Sequence, residues 1–248
     1  QYTRYPVYEA MIKVLDSDII GEPYSANVSL AHEYHGASLI RAFLREKMTP
    51  FQITAKTYTF PTAQTLSRYE RFTDGKLIDR QRTLAVLEFA DGKMAFYDFD
   101  SEQYRSPIRN NYVNIRGSRG ELKDETVYYL NKDNIPQAAS LEILRHHVVT
   151  QWENPNLKEV TEIDNIIFNG RSIYEPRFGS CGLASDETAV WRVMYDTALY
   201  SRGEKALEYP LEYALEDAYT AILLKEAVST GKTVKSETLP WHENAIRK

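Results

Sequence analysis

Four consecutive residues, His32-Glu33-Tyr34-His35, carry the densest chemistry in the chain. Imidazole is the side chain that exchanges protons near neutral pH, so two rings beside a carboxylate suit acid–base work. A helical zinc site needs its histidines four positions apart, which puts both rings on one face around the metal. Here they are three apart, and the segment falls where a strand gives way to a helix, so no metal is expected. Either histidine can carry a proton at the mouth of a pocket or simply cap the helix that follows. Residue type alone leaves both readings open.

Other reactive side chains are more scattered. His146 and His147 are adjacent, so on a strand they point to opposite faces and cannot readily share one ion. Cys181 has no basic neighbour in sequence to activate it and reads as an incidental thiol. Tyr174, Arg177 and the loop Phe178-Gly179-Ser180-Cys181-Gly182 precede a helix and suit either a hydroxylated or anionic ligand or a plain helix cap. There is no G-x-G-x-x-G and no G-x-x-x-x-G-K-[ST], so neither common backbone cradle for nucleotide phosphates is present. Gly117-x-x-Gly120 sits between strands and reads as a hairpin turn.

The elements around these residues follow from periodicity. Val7, Ala10, Met11, Val14 and Leu15 fall on one face of a helix over Pro6–Leu15, with proline at the favoured first position. A strand over Tyr24–Leu30 leads into the histidine segment, and a short helix over Ala37–Arg45 follows it. Phe51–Phe60 alternates as a strand, but its apolar phase reverses after Lys56, which predicts a bulge or a change of buried face there. Thr83–Ala90 and Lys93–Phe99 flank Asp91-Gly92, a two-residue hairpin signal. Tyr112–Arg116 and Glu121–Leu130 form a second hairpin. Gln137–Val149 reads as strand, although Leu141, Leu144 and Val148 also fit a helix. Ser185 is placed to cap a helix over Asp186–Tyr200, and a last helix over Pro210–Thr230 ends at Gly231. Helices at the ends and an antiparallel meander between them imply one α+β domain over 1–248, a large open sheet with helices on one face.

Bulk properties narrow the function classes. A hydrophobic share of 43% is that of an ordinary globular domain, and a net charge of −5 without basic clusters argues against nucleic acid as a partner. The single cysteine allows no internal disulfide. No run approaches the roughly 20 apolar residues of a membrane span, so no membrane partner is expected. Eighteen tyrosines suit half-buried sheet faces, subunit contacts and carbohydrate sites. The chain opens on Gln1 without an initiator Met or a signal h-region, and reads as an internal cut of a longer product.

Three stretches, in order, resemble one family. Ile19-Ile20-Gly21-Glu22-Pro23, a strand, and His35-Gly36-Ala37-Ser38-Leu39-Ile40-Arg41-Ala42-Phe43-Leu44 are similar to the start of the C-terminal domain of the Gfo/Idh/MocA oxidoreductases. Val113-Asn114-Ile115-Arg116-Gly117-Ser118-Arg119-Gly120-Glu121-Leu122 resembles that domain's sheet hairpin. Tyr209 to Tyr219, continuing to Glu226-Ala227-Val228-Ser229-Thr230-Gly231-Lys232-Thr233-Val234, resembles its closing helix.

The resemblance implies a substrate-side and oligomer-forming domain, normally joined to a Rossmann domain that is missing here. NAD or NADP would serve the full-length parent and none is expected to bind this chain alone; the substrate would be a sugar or polyol. The family's catalytic histidine falls on His35, whereas the aspartate of its D-x-x-x-H motif falls on Ala31, which cannot ionise. Glu33 or His32 would then have to replace it, or the branch uses other groups. By position His32, Tyr34, Arg41, Tyr174 and Arg177 are candidates for holding the substrate. A homo-oligomer through the sheet face and a cytoplasmic location are further expectations. Two other readings stay open: a non-catalytic carbohydrate-binding or assembly module, and a lyase or isomerase that oxidises its substrate transiently.

Overall fold

A computed structural model of the protein describes residues 1–67, 70–151 and 158–242. Its helices are α1 (Pro6–Asp16), α2 (Glu33–Leu44), α3 (Ser185–Ser201) and α4 (Leu211–Thr230). The strands are β1 (Pro23–Ser29), β2 (Phe51–Ala63), β3 (Leu77–Phe89), β4 (Met94–Asp100), β5 (Tyr112–Gly117) and β6 (Gly120–Lys123). They continue with β7 (Thr126–Leu130), β8 (Pro136–Ser140), β9 (Glu142–Val149), β10 (Glu159–Phe168), β11 (Arg171–Tyr174) and β12 (Val234–Lys235). Among the described residues a nine-stranded sheet has the order β12-β2-β3-β4-β1-β5-β6-β7-β8, and a three-stranded sheet the order β11-β10-β9. Among the described residues only the β1–β4 pair is parallel; the other pairs are antiparallel.

One transverse row shows why the large sheet buries a single face. Ile53, Leu87, Ala95, Ala26, Ile115, Leu122 and Val127 lie opposite one another in register across β2, β3, β4, β1, β5, β6 and β7. All seven are buried, because a period of two puts every apolar residue of the row on one side. Leu39, Phe43 and Leu44 of α2 and Leu223, Leu224 and Ala227 of α4 complete the same core, with α2 against β1 and α4 against β2. Each large side chain so buried stabilises the fold by roughly 1.5–3 kcal/mol. The expected α+β architecture, an open and mainly antiparallel sheet with helices on one face, is the one observed.

Several local expectations need correction. α2 begins at Glu33, four residues earlier than the apolar stripe suggests, which brings His35 into its first turn. β2 and β3 pair without interruption from Phe51–Phe89 to Ala63–Leu77, so there is no bulge at Lys56. Tyr58 and Phe60 lie on the uncovered face, 39% and 49% exposed. The Asp91-Gly92 turn is one residue longer than a two-residue hairpin: the Phe89 N–H donates to the Lys93 carbonyl at 2.9 Å, leaving Ala90–Gly92 as the loop with Gly92 at φ 91°. Glu121–Leu130 divides into β6 and β7 at Asp124, which adopts φ 51°. Gln137–Val149 is extended, but Leu141 separates β8 in one sheet from β9 in the other. Ser185 is the first helical residue and Ala184 the N-cap, with no side-chain cap. Gly231 ends α4 in the left-handed region, φ 65°, as expected.

Candidate active site

The N-terminus of α2 is satisfied by two tyrosines. A helix start leaves backbone N–H groups without partners in the helix itself. His32 holds the N-cap position but contributes no side-chain cap. Instead the Tyr104 hydroxyl accepts the His32 N–H at 3.0 Å and the Tyr97 hydroxyl accepts the Glu33 N–H at 2.8 Å. Gly36 makes this possible, since a Cβ there would lie 2.6 Å from the Tyr97 ring. These partners explain why the helix starts before its apolar stripe.

Around this end the rings pack together. His35 lies 4.2 Å from Tyr34, 4.5 Å from Tyr2 and 4.8 Å from His32, centroid to centroid. It is 8% exposed, whereas Tyr34 is 44% exposed. Burial, reinforced by the neighbouring His32, pulls the His35 imidazole down to about 4. Burial also holds His32 below its ordinary value. Both rings are therefore neutral near pH 7, the form that can accept a proton.

His32, not His35, lines a groove of about 500 Å³. Its floor is made by Thr57 of β2, Asp79, Gln81 and Thr83 of β3, and Tyr97 and Phe99 of β4, with Leu224, Lys225 and Val228 of α4 opposite. Lys225 forms an ion pair with Glu33 at 2.8 Å across the groove, and Thr57 and Thr83 share a hydrogen bond at 2.9 Å. The floor belongs to the helix-covered face of the sheet, which is apolar at Ile53, Ala55, Ala85 and Leu87 and turns polar at Thr57, Thr83, Gln81 and Asp79. A polar floor beside a neutral imidazole can orient a ligand's hydroxyl groups and take a proton from one of them.

The other candidates lie elsewhere. Arg41 is buried in an ion pair with Asp217, 2.8 Å at both nitrogen–oxygen contacts, beneath the Tyr213 ring. Arg177 reaches Asp196 at 3.3 Å; with Arg41 it lines a second groove of about 520 Å³ between α1, α2 and α3. Tyr174 is buried, 4% exposed, under the 178–182 loop. Thus His32, Tyr34 and His35 are brought together, and Arg41, Tyr174 and Arg177 are not brought to them. His146 sits between Asp164 and Glu162, 2.7 and 3.3 Å away, while His147 faces Thr161. Cys181 is exposed, and its N–H donates to Glu162. Tyr97, Tyr104, Asp79, Gln81 and Lys225 were not legible as site residues. The one available signal was the polar phase reversal after Lys56, which marks where the helices stop covering the sheet. Among the described residues no group of three or more His, Cys, Asp or Glu is arranged to hold a metal, and no helix is long and apolar enough to cross a membrane.

No protein-family model and no curated protein matches the sequence. Solved structures do match its fold. A putative oxidoreductase from Thermotoga maritima is 11% identical with a TM-score of 0.54, the match covering 94% of this chain and 61% of that one. Levoglucosan dehydrogenase, solved with NADH and levoglucosan, is 13% identical with a TM-score of 0.53, covering 96% and 65%. GenD2 from gentamicin A biosynthesis, solved with NAD, is 10% identical with a TM-score of 0.52, covering 96% and 62%. The chain therefore spans less than two thirds of the length of these proteins. The fold of this chain is therefore similar to part of the fold of these oxidoreductase structures.

Proposed function

We propose that this chain is the substrate-side portion of an NAD(P)-dependent oxidoreductase acting on a sugar or polyol. The observation that carries the reading is the groove in which neutral His32 stands over the polar floor of Thr57, Asp79, Gln81 and Thr83. Carboxylate, amide and hydroxyl groups at that spacing suit a ligand bearing several hydroxyls. The fold shared with chains solved with NADH and a sugar, and with NAD, supports the same class.

The chain's own residues do not fit the nucleotide. No glycine-rich cradle is present in the sequence, so the phosphates would be held by another domain, joined upstream. When bound, the nicotinamide would supply the hydride chemistry. This chain would hold the substrate hydroxyl and receive its proton. His32 is better sited for that than His35, which packs edge-on against it with little exposure. Residues Tyr2–Arg4 pack against α2, so whatever precedes them in a longer chain is delivered beside the histidines.

The test is to express the gene product with its upstream sequence and assay NAD(P)+ reduction against a panel of sugars and polyols. Turnover is expected, and His32→Ala should lower it by roughly two to four powers of ten. A reading frame that starts at Gln1, or turnover indifferent to both His32→Ala and His35→Ala, overturns the proposal. Sugar binding without turnover would favour the carbohydrate-binding alternative.

A further inference from the structure

We infer that the groove between α1, α2 and α3 binds a phosphate monoester, through a cluster of five cations that share three carboxylates. This groove and the one beside His32 have no lining residue in common, so the site is separate from the one proposed for the substrate hydroxyl.

Each carboxylate of the cluster serves more than one cation. Glu9 on α1 is shared by Lys13 at 3.1 Å and Arg192 at 2.8 Å. Asp196 on α3 takes Lys205 at 3.2 Å and Arg177 at 3.3 Å on one oxygen, while Arg192 Nε stays 3.9 Å from the other. Glu208 is shared by Lys205 and by Arg4, the latter at 2.5 Å. Five positive groups thus meet three negative ones, an excess of two. The other acidic residues along the groove are answered from outside the cluster, Asp16 by Arg45 and Glu46 by Lys93. Arg41 adds nothing to the excess, since Asp217 matches it.

The excess calls for an anion. Glu9, Arg192 and Asp196 are buried, and charges held away from water are little screened by salt. Burial alone would raise the Glu208 carboxyl, yet Lys205, Arg4 and Arg192 hold it below its ordinary value. Of the sixteen residues lining the groove seven are Arg or Lys and four are acidic, in a chain whose net charge is −5. A cleft dominated by one sign of charge focuses the field and gathers ions of the other. Two unmatched positive charges suit a single group of about −2, the charge of a phosphate monoester at pH 8. Guanidinium forks match its oxygens in pairs. Arg177, with 36% of its side chain exposed, can turn from Asp196 to such a ligand. At about 520 Å³ the groove also has room for an attached sugar or nucleoside, with Tyr209 and Tyr213 on its wall.

Isothermal titration calorimetry of the protein at pH 8 and low salt tests this with inorganic phosphate, glucose 6-phosphate and adenosine 5′-monophosphate. One saturable site per chain is expected for phosphate. Tighter binding of the sugar phosphate identifies the ligand as a phosphorylated sugar, and tighter binding of the adenosine compound as a nucleotide; both leave the phosphoryl group as what the cluster holds. Arg177→Gln with Lys205→Gln removes the excess of two charges and should raise the phosphate Kd about tenfold or more. Arg116→Gln, which removes one exposed charge on β5, should leave it unchanged. Arg177 is exposed, so Arg177→Gln alone, with a Kd raised several-fold, keeps the test open if the double variant does not fold. No saturable binding at millimolar phosphate, a Kd indifferent to the cluster variants, or an equal loss in Arg116→Gln overturns the inference. The oxidoreductase reading is judged by turnover and survives each of these results.

Discussion

Arg41 on α2 and Asp217 on α4 meet in a two-point ion pair, Nε to Oδ1 and Nη2 to Oδ2 both at 2.8 Å, with the Tyr213 ring 4.0 Å from the guanidinium carbon. Tyr209 adds a hydrogen bond to the same carboxylate at 2.6 Å. The pair is buried and ties together the two helices that cover the large sheet. From its place in sequence Arg41 looked like a substrate ligand. Its geometry makes it a clamp, because Nε and Nη2 are both committed to the Asp217 carboxylate.

Breaking that clamp from one side leaves an unpaired buried charge. Asp217→Ala should therefore destabilise the chain by about 3–5 kcal/mol, read from urea unfolding midpoints. Replacing both partners with apolar residues, Arg41→Met with Asp217→Leu, should recover most of the loss. A cost below about 1 kcal/mol for Asp217→Ala alone would show that the pair is not desolvated as described.

Gly36 is the close-approach point of the site. An alanine there would put a methyl group 2.6 Å from the Tyr97 ring, within the first turns of α2. The ring has to move, and with it the hydroxyl that caps the Glu33 N–H. Gly36→Ala should destabilise by about 1–3 kcal/mol through overpacking, despite the better helix propensity of alanine. Unfolding curves for Gly36→Ala and for Tyr97→Leu with Gly36→Ala decide it. If the smaller side chain at 97 relieves nothing, the clash is not the cause.

The depressed His35 gives a pH dependence of stability with a definite sign. Its folded value is about 4, below the ordinary 6.5 of an unfolded histidine, chiefly through burial. The stabilisation is complete above pH 6.5 and is lost as pH falls towards 4, because the unfolded chain binds the proton first. Between pH 6.5 and 5, above most carboxylate titrations, unfolding midpoints should fall, and His35→Phe should flatten that slope. An unaltered slope in the variant would assign the effect to other groups.

The sequence was most legible where one rule governs a whole element. The alternation that builds the row from Ile53 to Val127, and Gly231 at the end of α4, follow from local pattern. The start of α2 does not, because its cap comes from Tyr97 and Tyr104, more than 60 residues away in sequence. The polar run on β2 and β3 was visible as a phase reversal, yet only the register shows it to be a groove floor instead of a bulge. Histidine identity pointed to the start of α2, where the two rings pack together. Which ring faces the groove depends on packing by Tyr2 and Tyr34, which no spacing rule encodes.

The uncovered face of the large sheet carries Tyr58, Phe60, Leu84, Phe96, Tyr112 and Tyr128, each between 37% and 49% exposed. In register, Leu84 pairs with Asp98 and Phe96 with Val86, so Leu84 and Phe96 stand in adjacent rows near the middle of the sheet. Lys56 and Asp98 flank Leu84 in register and Arg82 flanks Tyr58, so apolar and charged side chains alternate on this face, the mixed composition of a surface that a partner covers. A second copy of the same face meets the requirement, since a two-fold contact needs only one self-complementary patch. Sedimentation equilibrium should therefore give a mass above that of one chain. Leu84→Glu with Phe96→Glu should reduce it to one chain while leaving the melting temperature of the dilute protein unchanged, because neither side chain belongs to the core row. A monomer at the highest soluble concentration would mean that the face is covered by something other than its own copy.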